Sequence, residues 1–575
     1  MIETDVLIVG AGPAGLATAI ALRRANFGGK VLVVEKSRAA GGHVLSGAVI
    51  DPAGFKDLLT EEEIAKLPVE AHVSRESFRF ILGAKVSVKI PWVPPMMQQH
   101  GYPVGSLTKI TRYLVQIAES LGVDVCMGYA VTELIEQDGV VVGARTGAKG
   151  VRADGEKKSN YLAPEEIRAR VTVLAEGAAG VLTDRLIAEK GLAGRRPQSY
   201  AIGVKELIAL PEPVKGSAGT IMHTFGYPVN MTTYGGGFVY HVSDSRVMVG
   251  YALGLDYADP SLDVHELFLR YKATSAVQAH IRGGNPLAYG AKVIPEGGYY
   301  AMPRPSAPGV LIVGDGAGLV DGLRIKGVHI AIQSGIAAAK AIVEVCVQRT
   351  GTSVVPVLQR TGTSVVPVKA TDGGVRCPRE GVELGERYLT LLKQTSGYGE
   401  VKRVRNVHGG FTYGAPFGVA MAGLAWATFG KLPWWMFGKK HKDAETLKRG
   451  ERVKVVSGSW LVVSDSSQPP ATNHQPLTTN TDRLTDVFLS GTIHDENQPC
   501  HLKLRDPSRC DECEKLYGSP CTRFCPAEVY CREGDKLRLD FTNCLHCKTC
   551  KVKCPFENVD WTFPQGGDGP RYTMM

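Results

Sequence analysis

The sequence predicts an α/β chain built on a dinucleotide-binding layer, with a β-rich insertion and a small α+β module at the C-terminal end. Three observations carry this prediction. A glycine fingerprint joins an apolar strand to a helix at the N-terminus, a second strand–turn–helix follows near Gly314, and the cysteines crowd at the far end. Ten of thirteen cysteines lie between Cys500 and Cys554. The 575 residues are 44% hydrophobic, enough for a large core, and the net charge of +9 permits an acidic partner or an anionic membrane without demanding either. No nucleic-acid partner is expected.

The first element is DVLIVGAGPAGLATAIALRRA, a buried strand, a glycine turn and a helix; KVLVVEK (Lys30–Lys36) is then the next parallel strand. Gly10, Gly12 and Gly15 supply the GxGxxG spacing, which allows the tight turn and lets a pyrophosphate approach the helix N–H groups. Glu35 ends the second strand, where an acid can hold a ribose hydroxyl. Downstream, GVLIVGDGAGL leads through Gly314–Asp315–Gly316 into a helix from about Gly327. The turn resembles that of two-dinucleotide-domain flavoproteins, which implies a ribityl chain at Asp315 and a helix N-terminus near the flavin ring. With the strand VTVLAEGAAG (Val171–Gly180) between the two signals, the pair favours FAD over NAD.

Between these signals, Tyr200–Gly298 is rich in β-formers and glycine and reads as an inserted sheet domain, a substrate platform. The decapeptide QRTGTSVVPV at Gln348–Val357 recurs at Gln359–Val368 and reads as a duplicated surface linker. Gly409–Gly430 follows, 22 uncharged residues with six glycines and Pro416. Gly410, Gly414 and Gly418 share GxxxG spacing, Trp434 and Trp435 follow, and Lys402, Arg403, Arg405, Lys431, Lys439, Lys440 and Lys442 crowd the flanks. Aromatic and basic edges around an apolar patch favour a monotopic insertion over a buried helix or a full span. The expected organisation is 1–200 and 301–347 for the dinucleotide-binding fold, 201–300 for the β-rich domain, 348–375 for the linker, 376–484 for a helical segment with the apolar patch, and 485–575 for the cysteine module.

In that module, Cys544, Cys547 and Cys550 stand at successive three-residue spacings, a short loop able to bend three thiolates around one iron–sulfur cube. The Cys554–Pro555 ending matches ferredoxin runs whose last cysteine serves another cluster, which leaves Cys525, in a similar Cys–Pro pair, as the remote fourth ligand. Zinc also accepts four thiolates, usually as two separated CxxC pairs, so the spacing favours [4Fe–4S]. Cys510, Cys513 and Cys521 look like a degenerate copy of the same run and could hold a second cluster with Cys554. The seven-residue gap after Cys513 breaks the compact loop, so plain reduced thiols are expected there. The chain enters a strand almost at once with no export signal ahead of it, which predicts a reducing compartment and metal ligation rather than disulfides.

These motifs resemble, in order and over most of the chain, the electron transfer flavoprotein–ubiquinone oxidoreductases. The likeness runs through GGHVLSGAVIDP, TYGGGFVYH, AYGAKVIPEGGY, IKGVHIAIQSG, LSGTIHDENQPCHLKLRD, FCPAEVY, NCLHCKTC and PQGGDGPRY. It implies an FAD fold of the two-dinucleotide-binding type with an inserted quinone-binding domain and a ferredoxin-like C-terminal domain. It further implies one FAD, one [4Fe–4S] cluster on Cys525, Cys544, Cys547 and Cys550, and ubiquinone held largely by backbone at Gly235 and Gly236. The positions matching the FAD site are Gly10, Gly12, Gly15, Glu35 and the turn around Asp315. The donor would be reduced electron transfer flavoprotein, and the place the inner (cytoplasmic) membrane, on its cytoplasmic face. Cys554 and the Cys510–Cys521 set are not needed for a single cluster, and the duplication departs from the family pattern. Tyr234, Tyr240, His241 and His329 are expected to be structural rather than proton donors. A flavin-dependent polyprenyl-lipid reductase and a subunit of an electron-bifurcating complex are the competing readings; the cysteine module argues against the first and the fusion of both parts in one chain against the second.

Overall fold

The computed structural model describes residues 1–347, 382–405, 407–411, 415–428, 431, 441–449 and 482–575. The decapeptide duplication, Gly414, Trp434 and Trp435 lie outside the described residues.

Strand Ile2–Val9 lies inside the first sheet, parallel to Val31–Glu35 on one side and Glu166–Leu174 on the other. Asp124–Met127 and Val310–Ile312 extend it in parallel at either side. The inner strands read as unbroken apolar runs because both faces are covered: Val6, Leu7, Ile8, Val31 and Val33 are fully buried. Helix Pro13–Arg24 leaves the glycine turn with proline in its first turn, and packs against helix Val328–Val347. The two helices cross closely at Gly335, where a Cβ would come within 2.3 Å of the Ala14 carbonyl oxygen. Helix Val328–Val347 is long and apolar enough to cross a bilayer, yet most of it is buried and it serves as a core helix.

The second sheet has seven strands, in the order Asn285–Pro295, Tyr200–Ala209, Arg246–Gly254, Gly235–Ser243, Thr220–Gly226, Arg75–Gly83 and Val86–Lys89. The first five fall in the stretch expected to form the insertion. The last two come from within residues 1–200, whose sequence gave them to the dinucleotide layer: Arg75–Gly83 pairs in parallel with Thr220–Gly226. Only a long-range pairing places that hairpin, and a lone hairpin carries no local signal of which sheet it joins.

The apolar stretch forms two short helices, Val407–Phe411 and Ala415–Ala427. At 1.5 Å per residue the longer one covers about 20 Å, short of the roughly 30 Å hydrocarbon core. Gly410 and Gly418 serve this hairpin: a Cβ on Gly410 would meet Met421 at 2.8 Å, and one on Gly418 the Phe411 ring at 2.3 Å.

The C-terminal module combines helices Ser508–Tyr517, Cys521–Phe524 and Thr549–Lys553 with the two-stranded pairs Leu502–Leu504/Val559–Trp561 and Tyr530–Glu533/Lys536–Leu539. It is clamped to the second sheet and to the start of helix Leu107–Ser120. Val293 donates its backbone N–H to the Cys547 carbonyl (3.1 Å), and the Met575 carbonyl accepts from Ser106 Oγ at 2.8 Å.

Candidate functional site

One cavity of about 630 Å³ runs between the two sheets. Gly10, Gly12, Glu35, Gly314, Asp315 and Gly327 line one end, and Gly235 and Gly236 line the other. The sequence-predicted residues are thus brought into one space, except Gly15, which is buried in helix packing. A Cβ on Gly15 would come within 2.1 Å of the Gly10 carbonyl oxygen; one on Gly12 would meet nothing within 4 Å. Gly10 has φ +111°, left-handed backbone that favours glycine, and its Cβ position is 2.4 Å from the Ala175 carbonyl oxygen. The turn therefore holds its shape at Gly10 and Gly15 and leaves Gly12 open to a ligand. Glu35 is fixed by the backbone N–H groups of Ala11 and Ser37, each donating at 2.8 Å.

The cavity wall carries lysines that the sequence reading missed. Burial and the neighbouring Lys292 hold the Lys36 ammonium down at about 8; burial and Lys548 hold Lys292 at about 8. Burial pushes the Asp315 carboxyl up to about 6, against the pull of Lys292. Half-buried lysines in the cavity wall, beside an open glycine turn at the start of helix Pro13–Arg24, suit a bound dinucleotide with two phosphates. His43 Nδ1 and Trp561 Nε1, on residues lining the cavity, are buried without a hydrogen-bond partner. The residues present fit FAD.

At the other end Gly235 and Gly236 lie on strand Gly235–Ser243. A Cβ on Gly236 would approach the Thr224 carbonyl oxygen at 2.7 Å, and one on Gly235 the Ala252 carbonyl oxygen at 3.1 Å. Close approach to the neighbouring strands thus favours glycine at both positions, and both residues line the cavity. Phe78, Met96, Met97, Phe238, Phe411 and Ala422 supply apolar walls. Tyr234 and Tyr240 line the space; His241 does not, and its Nε2 sits 3.0 Å from Nδ1 of His280. His223, unnoticed in the sequence, also lines it, with Nε2 2.6 Å from the Tyr240 hydroxyl. Burial holds the His223 imidazole down at about 3, with Lys326 adding to it, so the ring is neutral. His329 lines the cavity with Nε2 3.0 Å from Glu400, which also binds Arg324 at 2.8 Å.

Cys525, Cys544, Cys547 and Cys550 are 6–7% exposed. Burial pushes all four thiols up, and every pair among them is close enough to interact electrostatically. Four buried thiols whose thiolates would repel one another suit a bound cationic centre. The loop is shaped for it, with His546 and Lys548 in left-handed backbone at φ +53° and +69°. His501 and His546 approach Cys544, the three ligand atoms all within 4.8 Å of one another, and burial keeps both imidazoles neutral. Lys548, between two of the cysteines, reaches the cavity wall and donates to the Ala178 carbonyl at 3.2 Å. The thiol pocket and the flavin-sized cavity thus share a wall, the arrangement that one-electron exchange between them needs.

Comparison with known proteins decides the lineage. The chain is 35% identical to a protein of Mus musculus named electron transfer flavoprotein–ubiquinone oxidoreductase, mitochondrial, over 100% of this chain and 89% of that one. It is 33% identical to the namesake from Oryza sativa subsp. japonica, over 99% and 93%. The chain belongs to the electron transfer flavoprotein–ubiquinone oxidoreductase family. Three family models fall where the geometry does. The oxidoreductase family's 4Fe–4S model matches residues 478–573, its ubiquinone-binding model 200–294, and an NAD(P)-binding Rossmann-like model 8–72. Among solved structures, a geranylgeranyl bacteriochlorophyll reductase-like protein of Thermoplasma acidophilum shares the fold, with TM-score 0.52 and 16% identity over 76% of this chain and 94% of that one.

Proposed function

We infer that this oxidoreductase carries electrons from reduced electron transfer flavoprotein to ubiquinone, using a [4Fe–4S] cluster and FAD. The observation that carries the reading is the single cavity, with the glycine turn at one end, Gly235 and Gly236 at the other, and Lys548 of the thiol loop in its wall. When bound, the cluster and the flavin supply the conversion between single-electron and two-electron chemistry. Gly10, Gly12 and the N-terminus of helix Pro13–Arg24 would hold the cofactor phosphates, Glu35 a ribose and Asp315 the ribityl chain, with the N-terminus of helix Val328–Val347 near the flavin ring. Lys36 and Lys292 neutralise the added charge. Gly235 and Gly236 bind the quinone head group through their backbone, and Tyr240, hydrogen-bonded to neutral His223, lines the same cavity as a structural pair.

The chain lies on a membrane surface without crossing it, on the cytoplasmic face of an inner membrane. The cavity ends among Phe411, Ala422 and Gly423 of the apolar helices, and Phe417, Leu424, Val86, Val88 and Trp92 are exposed large apolar side chains on the helices and the Arg75–Lys89 hairpin with its following loop. Exposed apolar groups beside a lipid-sized opening suit entry of a polyprenyl quinone from one leaflet. A polyprenyl-lipid reductase shares the fold alone and leaves the thiol module without a role.

Replacing Cys547 by Ala tests the assignment. The expected result is loss of the cluster's paramagnetic signal and of quinone reduction driven by reduced electron transfer flavoprotein, with FAD retained. Full turnover in that variant would overturn it.

A further inference from the structure

Cys510, Cys513, Cys521 and Cys554 line one small cleft in the C-terminal module. The seven-residue gap that separates Cys513 from Cys521 in sequence closes in space. Helix Ser508–Tyr517 ends at Gly518 (φ +65°), Ser519 follows in the same left-handed region (φ +48°), and Pro520 opens the short helix Cys521–Phe524. Two successive left-handed residues reverse the chain and bring Cys521 back beside Cys510 and Cys513, which share one helix face at i, i+3.

The arrangement repeats that of the first thiol set. Helices Cys521–Phe524 and Thr549–Lys553 pack against each other. Cys521 and Cys525 bracket one; Cys550 and Cys554 bracket the other. Each short helix therefore gives one cysteine to each set, the exchange by which the last cysteine of a ferredoxin run serves the other cluster. All six pairs among the four thiols interact electrostatically, as in the first set. The sulfurs also receive hydrogen bonds: Asn558 donates its backbone N–H to Cys554 Sγ at 3.3 Å and its side-chain amide to Cys510 Sγ at 3.4 Å. All four cysteines are free. Among the described residues no three of these sulfurs lie within 4.8 Å of one another, whereas a tetrahedral zinc ion draws its sulfurs to about 3.8 Å, so the set suits a larger centre.

We propose that Cys510, Cys513, Cys521 and Cys554 bind a second [4Fe–4S] cluster, closer to solvent than the first. Only Cys513 of the four is buried, so this centre is the one more open to an incoming protein donor, accepting one electron and passing one on with no other bond made or broken. It goes beyond the single cluster of the family reading and stands or falls apart from it.

The test is the iron, acid-labile sulfide and zinc content per FAD of the full-length protein, purified and reconstituted with iron and sulfide without oxygen. The expected content is about eight irons and eight sulfides, two cubes of four. A Cys510→Ser/Cys513→Ser double variant should fall to about half while keeping FAD and the paramagnetic signal that Cys547→Ala abolishes. About four irons in the wild type, four irons with one zinc, or unchanged iron in a folded double variant would each overturn the second cluster. The wild-type count decides even if the double variant does not fold, and none of these outcomes touches the first cluster or quinone reduction.

Discussion

Gly12 and Gly15 stand three residues apart in one fingerprint and do opposite things. Gly12 faces open cavity; Gly15 presses on the Gly10 carbonyl and the Ile8 side chain. Gly12→Val should therefore leave the fold intact and lower the FAD-to-protein ratio several-fold, read from the flavin absorbance of purified protein. Gly15→Val should cost about 1–3 kcal/mol of stability through overpacking, seen as a lower midpoint in chemical denaturation even without FAD. Equal behaviour of the two would sink this division of roles. Elsewhere, Lys272 and Glu206 form a fully buried pair at 2.6 Å on the face of the second sheet away from the cavity. Lys272→Met alone should cost about 3–5 kcal/mol by stranding the carboxylate, and adding Glu206→Leu should recover most of it. A double variant no more stable than the single one would contradict the pairing argument. The fingerprint glycines were legible in the sequence because turn geometry is local. Lys36, Lys292 and His223 were not, since burial decides their role and spacing does not reveal burial.

At the scale of elements, the apolar helices show how composition and packing divide the work. Twenty-two uncharged residues are nominally enough for a span, but the described residues form two short helices, with glycines spent on contact between them. The outward residues Phe417 and Leu424 remain 42% and 48% exposed. Phe417→Asp combined with Leu424→Asp should weaken co-sedimentation with anionic liposomes by about tenfold or more while FAD content stays unchanged, given the cost of moving two carboxylates into lipid. Binding equal to wild type would remove these helices from the membrane contact. The cysteine run was readable as a cluster loop from its spacing. Its neighbour set is harder to read, because a seven-residue gap looks long until two left-handed residues fold it back.

Across the whole molecule, charge links the cofactor to pH. Lys36 and Lys292 both titrate near 8 in the ligand-free cavity because burial disfavours their charged form. An anionic dinucleotide favours the protonated lysines, so its binding takes up protons wherever they are partly neutral. Affinity of the deflavinated protein for FAD should be flat below about pH 7 and fall above about pH 8, by up to tenfold per pH unit for each lysine engaged. Titrations monitored by flavin fluorescence between about pH 6.5 and 9.5 would show it, and a flat profile throughout would refute the role given to these lysines. The same cavity joins two sheets and the thiol module, so these three parts are one functional unit despite their separate sequence signals.

The sequence by itself determined the nucleotide-binding turn, the three-thiol loop and the family, because each rests on residue type at short spacing. Tertiary structure alone decided that Arg75–Lys89 joins the second sheet, that Lys548 reaches the cavity wall, and that Cys510, Cys513, Cys521 and Cys554 share a cleft. The physical reason is range: turns and ligand loops are set by neighbouring backbone angles, whereas burial and long-range pairing depend on what the rest of the chain brings alongside.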